Sequence, residues 1–255
     1  FQAEDGIRDF CLSRGLGDVY KRQTTYISPE RATKLLDFYG KFEERIMLMP
    51  AAHKKEYHSA FPGGYVDHVN RVVKGALALS DVWETFGADM STFTKEELVF
   101  SALNHDLGKM GDEENESYIP QTDAWRRDKL GEDYTFNTKL SFASVPDRSL
   151  FLLMSHDIKY TFNEMIAIQT HDGLYDEANK KYLMGYMVEQ KPRTSLPFIL
   201  HQADLMAARI EFEEEWLPKF KLDKKVEVKS PSKFTAKTPQ LSNPNAPFAN
   251  LLNNI

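Results

Sequence analysis

Three segments of the 255-residue chain carry side chains of the kinds that hold a divalent cation: HVNRVV with His68, NHDLGKM with the adjacent pair His105 and Asp106, and HQADLMAARIE with Asp204. Two imidazoles and two carboxylates suit Mn, Fe, Co, Ni, Zn or Mg better than a soft metal, and so small a set leaves coordination positions for water and substrate. The chemistry that follows is metal-assisted hydrolysis. Each piece alone has a plainer reading. His68 shares its helical face with Tyr65, Val72, Gly75 and Leu79, the setting of an ordinary core histidine. Asp204 has Leu200, His201, Ala207 and Ala208 as helical neighbours, so its carboxylate faces inward and needs a cation, with Arg71 or Arg209 as the structural alternative to a metal.

The His-Asp dipeptide also occurs at His156-Asp157 and His171-Asp172. Successive helical residues diverge by about 100°, so both members of a pair reach one ion only in a crease beside a helix end. The first pair is expected there, just before Gly108, and the other two in looser, more polar surroundings. Lys109 is the natural cation for a phosphate oxygen; a lysine completing a helix C-terminus is its plainer reading.

The elements that must position these residues are helical. Ser28 before Pro29 and Glu30 is a helix start, with Ser28 as cap and Pro29 in the first turn, and Leu35, Leu36, Phe38, Tyr39, Phe42 and Ile46 form its apolar stripe. A second helix is predicted from the Gly63-Gly64 pair toward Phe86, with Val66, Val69, Val72, Val73 and Ala76 at helical spacing. Thr94 with Glu97 is a capping box opening a third helix that delivers His105 and Asp106 at its C-terminal end, and Thr161 with Glu164 is another such box. A further helix covers about Asp147 to Met154, and a long one runs from Ser195 or Leu196 to about Trp216. Between Gly111 and Ala143 the pattern breaks into a long polar stretch with one short helix around Trp125, the kind of segment that serves as a lid or binding loop. No alternating β pattern of useful length and no internal repeat is visible. The fold expected is all-α, a helical bundle with a metal site between helices.

The net charge is −6, and the chain holds one cysteine, Cys11, which rules out an internal disulfide framework and a thiolate metal cluster. No apolar run approaches a membrane span and no signal-peptide pattern opens the chain, so a cytoplasmic protein without a membrane partner is expected. Residues 1–23 begin without Met, show no sustained period and resemble translated sequencing-adapter runs at the ends of metagenomic gene products; they are set aside as non-native, the plainer alternative being a genuine irregular N-terminal arm. Residues 219–255 carry seven Lys against Asp223 and Glu227, interleaved with Pro, Ser and Asn, and read as a linker or loosely docked tail. The acidic surplus therefore lies in residues 24–218, which is poorly suited to gripping a polyphosphate strand by charge alone.

The order His68, NHDLGK at 104–109 and Asp204 on a late helix resembles the HD superfamily of metal-dependent phosphohydrolases. The approach segment YHSAFPGGYVDHV at 57–69 is similar to the pattern in the branch of bacterial 3′→5′ exoribonucleases and phage HD proteins. The resemblance covers roughly Ala51 to Trp216. It implies a metal held by His68, His105, Asp106 and Asp204 and hydrolysis of a phosphoester. QTHDG at 169–173 resembles the later His-His-Gly segment of two-metal members, with Thr170 in place of the first histidine and His171 retained; a further histidine of that pattern has no counterpart, the matching region reading SVPDRSL. One ion is expected, with a second open at His171. Asp106 and Lys109 are the expected catalytic groups. His58, Gly64, Lys109 and His171 are expected to contact substrate, the glycine through free N–H groups at a helix start, and His156, His201 and Tyr175 are placed in the same pocket. The substrate expected is a nucleotide or other small phosphate ester. The alternatives are a 3′→5′ exonuclease acting on RNA and a degenerate scaffold that binds a nucleotide or partner without hydrolysis.

Overall fold

The computed structural model describes residues 15–215 and 217. Helices dominate: α1 over residues 15–26, α2 Pro29–Lys41, α3 Glu43–Leu48, α4 Gly64–Thr85, α5 Lys95–Asn104, α6 Ala124–Leu130, α7 Val145–Ser155, α8 Phe162–Thr170, α9 Lys180–Leu183 and α10 Leu196–Glu215. The only sheet among the described residues is an antiparallel pair within the 111–143 stretch, β1 Tyr118–Pro120 against β2 Tyr134–Phe136, with Tyr118 opposite Phe136. Three-residue strands are too short to leave a period-2 signal, which is why the sequence shows no trace of them.

The core forms where α4, α5, α8 and α10 meet. On α4, Val66, Val69, Val72, Val73 and Ala76 are buried at the spacing expected, and α10 answers with Ile199, Leu200, Ala203 and Ala207. Burying side chains of this kind stabilises by roughly 1.5–3 kcal/mol each for the larger ones. Helix α5 is buried from Glu97 to Asn104, so it runs through the interior, not along a face.

One helix start needs correction, and residues 15–23, which the sequence reading leaves out of the fold, are helical: Leu16, Val19 and Gln23 are buried on one face of α1, and the Asn70 side chain donates to the Gly15 carbonyl at 2.8 Å. Apolar residues three apart on a helix supply a face whatever precedes them. The Ser28 hydroxyl does not cap α2; it donates to Glu96 Oε1 at 2.9 Å. The segment 219–255 lies outside the described residues.

Helices α5 and α8 are built alike. Each opens with a complete capping box, Thr94 with Glu97 and Thr161 with Glu164, and each has a histidine at its C-cap. Their N-termini are tied together by Arg31 of α2, which places its guanidinium 2.9 Å from Glu96 and 2.9 Å from the fully buried Glu164 and lies 3.9 Å over the Phe100 ring. The Thr161 hydroxyl donates to Glu97 Oε1 at 2.7 Å, closing the network. Removing the arginine strands a buried carboxylate. We expect Arg31→Met to lower unfolding free energy by about 3 kcal/mol in urea titration, and Arg31→Met with Glu164→Gln to recover part of that loss; an unchanged midpoint in the single variant would show that the clamp is energetically idle.

Candidate metal centre

Four elements converge to bring the expected ligands together. His68 lies on the second turn of α4 and Asp204 on α10, facing each other across the helix pair. His105 is the C-cap of α5, and Asp106 begins the 3-10 turn Leu107–Met110. His68 Nε2 lies 3.0 Å from Asp204 Oδ1 and 3.5 Å from Asp106 Oδ2; His105 Nε2 lies 3.5 Å from Asp106 Oδ2 and 3.7 Å from Asp204 Oδ1. Ligand atoms about 2.1 Å from one ion at octahedral or tetrahedral angles are about 3.0–3.4 Å apart. The observed spacing is close to that. Both Nε2 atoms are buried without an aligned hydrogen-bond partner, which is costly for a polar atom and natural for one aimed at a cation. The donor set therefore fits a divalent ion. Arg71 and Arg209 are committed elsewhere, to Glu214 and Glu213, so the arginine alternative for Asp204 falls away.

Local structure sets the ring orientations. His105 Nδ1 donates to the Ala102 carbonyl at 3.0 Å and His171 Nδ1 to the Ile168 carbonyl at 2.7 Å, the same three-residue return at the end of each helix. A carbonyl only accepts, so the proton sits on Nδ1 and Nε2 is turned inward. His68 is oriented by Glu211, whose carboxylate lies 3.1 Å from His68 Nδ1 and 2.9 Å from His58 Nδ1. Glu211 is 2% exposed. It is the residue that the sequence reading missed. Its signal was available: it stands seven residues after Asp204, on the same helical face with Ala207 and Ala208 between.

His171 is buried, with Nε2 3.5 Å from Asp106 Oδ1, the carboxylate oxygen opposite the one facing His68 and His105. The expectation of loose, polar surroundings for this His-Asp pair is wrong, because α8 repeats the end geometry of α5 and the His201 ring donates from Nδ1 to the His171 carbonyl at 2.8 Å. Two ligand groups result, His68 with His105 and Asp204, and His105 with Asp106 and His171; His58, His68 and Glu211 form a third acidic and imidazole cluster behind them.

Lys109 Nζ lies 2.6 Å from Asp106 Oδ2. Its turn is seated by Gly108, whose N–H donates to the Ser149 hydroxyl at 2.7 Å and where a Cβ would come within 2.2 Å of the Val145 carbonyl. A cavity of about 300 Å³ opens from the ligands, walled by Lys109, His58, His171, Asp172, His201 and Tyr175 among others. His156 is not there. It caps α7, donates from Nδ1 to the Leu152 carbonyl and packs edge-on against Phe38 and Phe42. Gly64 is not an anion site either: its N–H goes to the Phe61 carbonyl at 2.9 Å and the N–H groups of Gly63 and Tyr65 to Leu48 and Met49. Its lack of a side chain serves packing, since a Cβ would lie 1.9 Å from the Ser59 carbonyl oxygen.

The charges are strongly coupled. Burial alone would raise both aspartates, but His105 and His68 hold Asp204 well below the carboxylate range, and Lys109 with His105 and His171 does the same for Asp106. Burial likewise opposes charging of the imidazoles, yet Asp204 and Glu211 push His68 up to about 10, and Asp106 and Asp172 push His171 up to about 9. Glu211 is drawn down to about 2 against its burial by His58 and His68. Compared with models of protein families, with curated proteins and with solved structures, the chain matches none.

Two outcomes are expected. The folded protein binds the His68 and His171 protons more tightly than the unfolded chain, so in chelator their contribution is complete below about pH 6.5 and lost as pH rises through 9 to 10. The aspartates and Glu211 act oppositely, contributing above about pH 4.5 and losing that as pH falls. A cation bound at His68 would displace its proton, so the rise in melting temperature on adding Mn²⁺ should grow with pH between 6.5 and 9; a rise independent of pH would place the ion away from His68. Glu211→Gln keeps the volume and loses the charge, and should weaken Mn²⁺ binding about 10–100-fold in chelator competition.

Proposed function

We propose that this chain is a metal-dependent phosphohydrolase of the HD type, acting on a phosphoester in a nucleotide or other small phosphorylated substrate. The single observation that carries the reading is the pair of buried Nε2 atoms of His68 and His105, neither with an aligned hydrogen bond, held against the oxygens of Asp106 and Asp204. These four residues would hold the ion. When bound, a divalent cation supplies Lewis acidity toward a phosphoryl oxygen and lowers the pKa of water.

The chain's own residues supply the rest. Lys109 brings an ammonium to the wall of the cavity beside Asp106, where it offsets charge building on the phosphoryl oxygens. His58 is held through Nδ1 by Glu211 and lines the cavity, so its other nitrogen is placed to hand a proton to the departing oxygen. His171 orients the substrate from the opposite side of Asp106, or shares a second ion with it.

The test is metal content by mass spectrometry together with turnover of nucleoside mono- and triphosphates and a short labelled RNA. Asp106→Ala and His68→Ala should each lose the bound ion and at least about 100-fold in turnover. Full metal content and activity in Asp106→Ala would overturn the assignment, and hydrolysis of the RNA alone would replace the small-molecule reading with the exonuclease one.

A further inference from the structure

A second cavity of about 290 Å³ adjoins the metal cavity, and the two share Lys109 and Val145 as walls. It is lined by Tyr118, Phe136, Leu140 and Phe142, together with Asn137 and Arg148. We propose that this cavity is the subsite for the nucleobase of a nucleoside phosphate whose phosphoryl group lies at the metal centre, an inference that rests on the reading of that centre given above.

Three features point to a flat heteroaromatic ring. Phe142 is 98% exposed and Phe136 58% exposed, an arrangement with no role in the core and available for stacking. Phe136 is also fixed in place: it is the cross-strand partner of Tyr118, their ring centroids are 5.4 Å apart, and His53 supports it from 4.8 Å. The polar lining groups offer hydrogen bonds. Asn137 accepts the Lys139 N–H through Oδ1 at 3.1 Å, and its amide nitrogen has no protein partner among the described residues. The Arg148 guanidinium is pinned by Ser117 Oγ at 3.1 Å and the Ser141 carbonyl at 2.9 Å, giving a planar cation at a set position. A wholly apolar ligand would leave the Asn137 amide nitrogen unmatched, whereas a base presents ring faces and a polar edge together. The volume is at the small end for a ligand pocket, suiting a single base and not a longer stacked run.

The base can belong to a free nucleotide or to the terminal nucleotide of an RNA. The test uses the Mn²⁺-loaded full chain with adenosine 5′-monophosphate, ribose 5-phosphate and a short RNA. Wild-type protein should favour adenosine monophosphate over ribose 5-phosphate, and Phe142→Ala should cut that ratio of kcat/KM about tenfold. Equal kcat/KM for the two in wild-type protein, or an unaltered ratio in the variant, would overturn the subsite. Turnover of the RNA alone, lowered about tenfold in the variant, would retain the subsite and assign it to an RNA end. If no phosphoester is turned over, the hydrolase reading fails by itself. Calorimetric titration with adenosine monophosphate then decides the subsite: binding weakened about tenfold in Phe142→Ala supports it, and the absence of binding overturns it.

Discussion

Two carboxylates held inside a helical bundle with few cations around them set the terms for everything else in this structure. Asp106 and Asp204 each lie among imidazole nitrogens, with Lys109 the only ammonium at hand among the described residues. Taking such groups out of water is expensive, and their mutual repulsion compounds the cost unless positive charge lies between or beside them. The protein meets the cost with protons on histidines when no metal is bound, and a divalent ion would replace those protons. An ion held there would couple folding to cation binding at one place.

The precision of that place comes from helix ends. Helices α5 and α8 are each short enough that a capping box at one end and a histidine at the other are about 15 Å apart. Arg31 clamps the two starts against one another through Glu96 and Glu164. The finishing turns then deliver His105 and His171 with rings set by the same bond to the carbonyl three residues back. An ion pair remote from the site thus fixes the registry of the two elements that carry it. The same economy holds at α10, where Asp204 and Glu211, two turns apart on one face, hold the front and the back of His68.

If the proposed function holds, substrate selection would fall to the hairpin-bearing stretch beside the bundle. The stretch from Gly111 to Ser144 carries the hairpin, α6 and most of the aromatic wall beside Lys109. Such a segment contributes little to the core, so its residues are free to be chosen for what they contact. Phe142, exposed and on no regular element, is the plainest instance.

From residue types and spacing alone came the all-α class, the starts of α4, α5, α8 and α10, and the four side chains that converge, His68, His105, Asp106 and Asp204, because the 3.6-residue period, capping pairs and metal-ligand chemistry are local or compositional properties. Three-dimensional packing alone decided the rest. It seated His171 against Asp106 and sent His156 to the Phe38 and Phe42 rings, although both open identical dipeptides at helix ends. It closed the Gly63-Gly64 turn with carbonyls of Leu48, Met49 and Phe61, which removed the anion site that the turn suggests in isolation. It buried Glu211 against two imidazoles. Each of these depends on which distant segment lies opposite, and separation along the chain carries no record of that until the helices pack.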